Sequence, residues 1–239
     1  MEQQTIYTVT RKLRNADVDL HQRLRPSALF TLLQEAAIAH TTLLGAGREK
    51  TLDRGFLWVV TMQRAEIRRW PVYDETVKLT TWPGRSMHVL FPRYYALTDE
   101  AGEVLVRASA LWVLMDRTSR ALVFPEEHGV DIPGTVTGEE CPLPRPPKAL
   151  PTDLERSFTV PYSYVDLNGH MNNTRYLDLV QDTLPEPWQQ RPLSSILVEH
   201  ASEARLGQTI RLHLGRQDNT WFALGEGEKR VFRMVLCYD

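Results

Sequence analysis

The chain has 239 residues, 42% hydrophobic and 24% charged, with a formal net charge of −2. This suits a globular protein with a sizeable core and offers no global basic field, so no nucleic-acid partner is expected. No run reaches the length of a membrane span, no apolar segment opens the chain as a signal peptide would, and Cys141 and Cys237 fall in no metal-type spacing; a cytoplasmic location is the expectation.

In chain order, IYTVTRKL (6–13) alternates as a strand does. Pro26 suits a first helical turn. Leu29, Leu32, Leu33, Ala36 and His40 then follow at helical spacing until Gly45 and Gly47, which predicts a helix over 26–44. Strands are predicted over 56–70, 75–82, 88–99 and, after the turn DEAG, 103–116. Seven of the fifteen prolines lie in 125–152, a composition that holds an extended path. The pattern then restarts. FTVPYSYV (158–165) reads as a strand, and Tyr176, Leu177, Val180 and Leu184 form a helical apolar face stopped by Pro185 and Pro187. Strands follow over 194–206, 208–217, 220–227 and 229–239. A helix followed by an antiparallel meander, twice over, is an α+β architecture. Its expected units are 1–124, a Pro-rich linker 125–152, and 153–239.

The restart is visible as a repeat. VDLHQRLRPSALFTLLQE (18–35) aligns without gaps on VDLNGHMNNTRYLDLVQD (165–182), with Val18/Val165, Asp19/Asp166, Leu20/Leu167, Leu32/Leu179 and Gln34/Gln181 identical. At the chemically rich positions the copies differ. Asn168 and His170 of the second copy are His21 and Arg23 in the first. Aligning 75–77 on 208–210 sets Trp70 opposite Glu203. One reaction centre is therefore expected, in the second unit, with the first unit binding substrate.

Asp166-x-Asn168-x-His170 followed by Asn172-Asn173-x-x-Tyr176, with the block VEHASEARLGQTI (198–210), resembles the acyl-ACP thioesterase family. The segments 70–82, 93–105 and 111–120 fit the same family, so the resemblance covers most of the chain outside the linker. It implies two tandem hotdog domains, each a long helix wrapped by an antiparallel sheet, and hydrolysis of acyl-ACP to free fatty acid. It also implies a site made of Asp166, Asn168, His170 and Glu203. Where some members carry a cysteine after the acidic residue, this chain has Ala204, so a thiol nucleophile is not available there.

Thioester hydrolysis needs an activated water or a nucleophile, and donors for the developing oxyanion. Asp166 could polarise water or attack directly, Asn168 could orient water or bind the carbonyl, and His170 could take a proton with Glu203 fixing its tautomer from the neighbouring strand. Gly169 lets backbone approach a substrate carbonyl, and the N–H groups of 170–172, ahead of a helix, are the expected oxyanion donors. Asn172 and Asn173 are expected mainly to cap the helix and pin the loop, with Asn172 also near substrate. Leu33, Ala36 and Ala37 are expected in the core and as the wall of an acyl slot. No metal or cofactor is expected. The expected partner is acyl carrier protein, met by basic clusters at Arg11, Lys12 and Arg14, at Arg64, Arg68 and Arg69, and at Arg205 and Arg211. Exposed edge strands leave room for a homodimer. The alternatives to an acyl-ACP hydrolase are a hotdog acyl-CoA thioesterase and a non-catalytic acyl- or ACP-binding protein.

Overall fold

The computed structural model describes residues 5–135, 140–149 and 151–239. Residues 1–4 of the first expected unit, and 136–139 and 150 of the linker, lie outside the described residues. The alternating segment forms β1 (Tyr7–Lys12), and the helical spacing forms α1 (Pro26–Leu43), with Pro26 in its first turn. Gly45, at φ +75°, turns the chain left-handed just past the helix, where a side chain would be strained. The meander follows as β2 (Phe56–Ile67), β3 (Thr76–Pro83), β4 (Phe91–Thr98) and β5 (Val104–Asp116). The second half repeats it with β6 (Leu154–Thr159), α2 (Arg175–Thr183), α3 (Glu186–Gln189), β7 (Leu193–His200), β8 (Thr209–Gln217), β9 (Thr220–Glu226) and β10 (Arg230–Tyr238).

Among the described residues the strands form one antiparallel sheet in the order β1-β3-β4-β5-β2-β7-β10-β9-β8-β6. The order is a palindrome of the two halves. β2 and β7 are the corresponding inner strands, and they pair from Met62↔Glu199 to Glu66↔Ser195, which makes the halves one sheet. β8 shows the pattern that fixes register: Ile210, Leu212 and Leu214 are buried, while Thr209 and Arg211 between them face out.

On α1 the buried residues Leu29, Phe30, Leu33, Ala36, Ala37 and His40 form one stripe at helical spacing. The same stripe on α2 is Tyr176, Leu177, Leu179 and Val180. The helices meet between the halves, where Thr31 Oγ1 donates to Thr174 Oγ1 at 3.4 Å. His40 is fully buried and its Nδ1 lies 3.0 Å from Arg93, a guanidinium whose pKa burial pulls down.

The structure departs from the sequence reading at three places. The second helix stops ahead of Pro185 and Pro187 as expected, but with nine residues against eighteen in the first it is shorter than the long helix the resemblance implies, and the chain restarts as the single turn α3. The strand before it starts at Leu154 and stops at Thr159, since Pro161 has no N–H for the ladder and Tyr162–Tyr164 turns instead. β7 ends at His200, so Glu203 sits on a loop and not on a strand.

The Pro-rich segment runs without regular structure over 131–135 and 140–149, after a single turn at Pro125–His128. It packs on the sheet: Cys141 is buried, and Ser109 Oγ donates to Pro142 O at 2.7 Å. Nine of the thirteen residues of β5 are buried, Ser109 among them.

Candidate active site

Residues 165–172 form a tight turn closed by an antiparallel bridge between Val165 and Met171. Asp166 N–H donates to His170 O, Gly169 N–H to Asp166 O, Met171 N–H to Ala204 O, and Asn172 N–H to Tyr164 O. The first copy makes the same bonds. Asp19 N–H donates to Arg23 O, Gln22 N–H to Asp19 O, Leu24 N–H to Pro71 O, and Arg25 N–H to Asp17 O. Gly169 (φ +81°) and Gln22 (φ +63°) are the left-handed residues at matching positions. The repeat is thus one backbone built twice.

The side chains differ. In the first copy Asp19 Oδ2 is engaged by Arg23 through Nε at 3.1 Å and NH2 at 3.0 Å, and Arg23 NH2 also donates to Gln190 O. That carboxylate is neutralised, and His21 beside it is exposed. In the second copy, among the described residues, no guanidinium engages Asp166. Its Oδ1 accepts from Asn168 N–H at 2.8 Å and its Oδ2 from Asn172 Nδ2 at 3.1 Å. Asn172 Oδ1 accepts from the N–H and hydroxyl of Thr174, the residue ahead of α2. Asn172 therefore ties the acid to the helix start, while Asn173 lines the cleft described below.

His170 Nδ1 is 3.3 Å from Met171 O. A carbonyl only accepts, so this contact suits the tautomer with the proton on Nδ1. Nε2 faces Glu203 Oε1 at 3.6 Å. Glu203 is held by Arg120, which sequence reasoning missed: NH1–Oε1 is 3.0 Å and NH2–Oε2 is 3.1 Å. Nothing in the local sequence pairs positions 83 apart. Ala204, beside it, is fully buried and offers its carbonyl to Met171.

Of the expected oxyanion donors, the N–H groups of Met171 and Asn172 are committed to Ala204 O and Tyr164 O, while that of His170 makes no hydrogen bond among the described residues. The exposed side-chain amide of Asn168, also without a hydrogen bond among the described residues, is a further donor at the cleft beside His170.

Asp166, Asn168, His170 and Glu203 all line one cleft of about 1080 Å³. Its apolar floor comes from the first half, from Leu57, Trp58 and Val59 on β2 and Trp112, Val113 and Met115 on β5. From α1 it takes Gln34 and Ile38, whereas Leu33, Ala36 and Ala37 lie on the opposite, core-facing stripe. His200, at the end of β7, also lines the cleft; both its ring nitrogens are buried without a hydrogen-bond partner among the described residues, and burial pushes its pKa down to about 4. Among the described residues, no group of three or more His, Cys, Asp and Glu side chains is placed to hold a metal ion, and no helix is long and apolar enough to cross a membrane.

Residues 4–128 match the family model described as the acyl-ACP thioesterase N-terminal domain, and residues 148–225 match the corresponding C-terminal domain. The chain is 26% identical over 207 residues to a chloroplastic palmitoyl-acyl carrier protein thioesterase of Cuphea hookeriana, covering 80% of this chain and 50% of that one. It spans about half the length of the curated relatives it matches first. Its fold matches the crystal structure of an acyl-ACP thioesterase from Bacteroides thetaiotaomicron with a TM-score of 0.89 at 22% identity, over 100% of both chains. It also matches the 12:0-ACP thioesterase from Umbellularia californica with a TM-score of 0.83 at 22% identity, over 98% and 97% of the two chains. At these identities the two structures establish the hotdog fold alone.

Proposed function

Because the chain belongs to the acyl-ACP thioesterase family, we propose that it hydrolyses the thioester of acyl-ACP and releases a free fatty acid for fatty acid biosynthesis. The observation that carries this reading is the meeting of Asp166, Asn168, His170 and Glu203 at one end of an apolar cleft that crosses both halves. An acyl chain needs such a floor, and its thioester needs such a group of side chains beside it.

In the proposed chemistry the acyl chain lies along β2 and β5, with the thioester carbonyl at Asn168. Both oxygens of Asp166 already accept N–H donors, which blunts the carboxylate as a nucleophile and favours water as the attacking group. His170 Nε2 takes a proton from water as the oxygen attacks the carbonyl carbon. The imidazolium so formed faces Glu203 at 3.6 Å, which stabilises it. The Asn168 amide donates to the oxyanion; one such donor is typically worth about 10²–10³ in rate. The tetrahedral intermediate collapses, the C–S bond breaks, and the proton on His170 passes to the departing thiolate. Asp166 holds Asn168 and Asn172 in place.

Acyl carrier protein is the proposed carrier. Arg205 and Lys229 line the cleft and make no ion pair among the described residues, so they are free to meet an acidic partner and its phosphopantetheine arm. Of the other clusters, Arg11, Lys12, Arg64 and Arg69 are paired with neighbouring carboxylates. The cytoplasm is the compartment that goes with this reading.

The test is thiol release from acyl-ACPs and matching acyl-CoAs across chain lengths. Turnover of the ACP esters, with CoA esters cut at least tenfold more slowly, is the expected result. Cleavage of CoA esters alone would replace the carrier, and no cleavage by folded protein would move the chain to the binding proteins.

A further inference from the structure

We infer that Arg120, from the first half, is a positioning residue of the reaction centre: it grips both oxygens of Glu203 and so fixes that carboxylate, and its charge, against His170. Only the kinetic arm of this inference rests on the thioesterase reading.

The Arg120 guanidinium grips both Glu203 oxygens, at 3.0 and 3.1 Å, and Oε1 is also the atom that faces His170 Nε2 at 3.6 Å. The pair is partly exposed, with side-chain exposures of 38% and 31%. Ion pairs of that kind contribute little to stability. The backbone that carries Arg120 is nevertheless closely specified. Arg120 sits at φ +60°, a conformation disfavoured for a residue with a Cβ. The turn that imposes it is tied down by Asp116, whose Oδ1 accepts from Thr118 N–H, Ser119 N–H and Ser119 Oγ at 2.7–2.9 Å. Arg120 N–H donates to Asp116 O at 3.0 Å, and Arg117 N–H to Gly55 O at 2.7 Å. A rigid turn of the first half thus aims one guanidinium at a carboxylate of the second.

The consequence is electrostatic. A lone carboxylate 3.6 Å from an imidazole favours the imidazolium, which has no lone pair to activate water. With Arg120 attached, part of that charge is shared and the carboxylate is fixed in place beside the ring, so its pull on the imidazolium is moderated and not lost. Arginine suits this role because its planar fork fixes the carboxylate plane, as a lysine ammonium does not. The titratable and charged groups lining the cleft around His170 are Asp166 on its own loop, Arg120, His200, Glu203 and Arg205, and Glu228 and Lys229 between β9 and β10. Of these, Glu203 is the carboxylate in ion-pair range of Nε2, so loss of Arg120 acts on His170 both by freeing that carboxylate and by removing a nearby positive charge, two effects of the same sign.

The experiment follows His170 directly, by imidazole NMR titration of full-length wild type, Arg120→Gln and Arg120→Lys, beside the pH profile of kcat/KM for an acyl-ACP. In Arg120→Gln the His170 pKa is expected to rise by about half a pH unit or more. The acid limb of the profile should move with it, and kcat should fall about tenfold to a hundredfold with little change in KM. Arg120→Lys should return the pKa most of the way while leaving part of the kcat loss. A His170 titration and acid limb unchanged in Arg120→Gln would overturn the inference, whatever happened to thermal stability. If wild type cleaved no thioester while the NMR shift appeared, the thioesterase reading would fail and the positioning role would stand.

Discussion

Asp19 and Asp166 occupy the same turn, receive the same backbone bonds and differ in what stands four residues on. Arg23 closes over Asp19 and neutralises it, whereas His170 leaves Asp166 to two amide donors. Differences at three positions of the turn, His21/Asn168, Arg23/His170 and Arg25/Asn172, therefore separate a structural turn from a chemical one. His200 is a second case in which surroundings decide. Its ring nitrogens are sealed without partners although the residue keeps some exposure, and its ring lies 5.9 Å from that of Tyr176. Its pKa falls from 6.5 unfolded to about 4 folded, so between those values the unfolded chain binds the extra proton. Stability contributed by neutral His200 is complete above about pH 6.5 and declines as pH falls toward 4. His200→Phe should flatten the fall in urea midpoint between pH 7 and pH 5. An unchanged slope would show that His200 is solvated in the folded protein.

At the scale of elements, the repeat was legible because the turn's hydrogen bonds need the same short pattern twice, Val-Asp-Leu before a helix. The β-meanders were legible from alternation and from turns such as DEAG. The end of β7 was not. Residues 198–206 continue to look strand-like, yet the ladder stops at His200, where Ala201 N–H turns to Val231 O and Ala204 O is taken by Met171. That bend brings Glu203 to His170, and it depends on a partner loop that local sequence does not contain. The Pro-rich segment was legible as extended, but its packing on β5 was not, since it depends on Ser109 and Pro142 meeting across 33 residues. Gly215 probes the return of that segment. A Cβ there would run into the carbonyl of Pro151, a backbone atom with little freedom to move. Gly215→Ala should therefore cost about 1–3 kcal/mol in a denaturant titration. A neutral result would mean that the approach to β6 is loosely held.

For the molecule as a whole, the palindromic sheet explains why one chain with two similar halves holds one centre. Joining β2 to β7 sets the first half's apolar strands and Arg120 beside the second half's loop. Neither half alone supplies both the floor of the cleft and the groups at its end. The residues of the reactive turn could be read from sequence because they are contiguous. The cleft could not, since Gln34, Ile38, Trp58 and Trp112 come from three separated elements. The central claim is that the second copy alone carries the chemistry, and the most direct measurement compares matched variants of the two copies. Asp166→Asn and Asp19→Asn should be assayed side by side on an acyl-ACP, each with its melting temperature. Asp166→Asn, which loses the carboxylate that holds Asn168 and Asn172, is expected to lower kcat by at least about a hundredfold in a folded protein, while Asp19→Asn, which loses its charge pairing with Arg23, keeps kcat within about twofold of wild type. Equal losses in the two folded variants, or full activity in Asp166→Asn, would contradict the account.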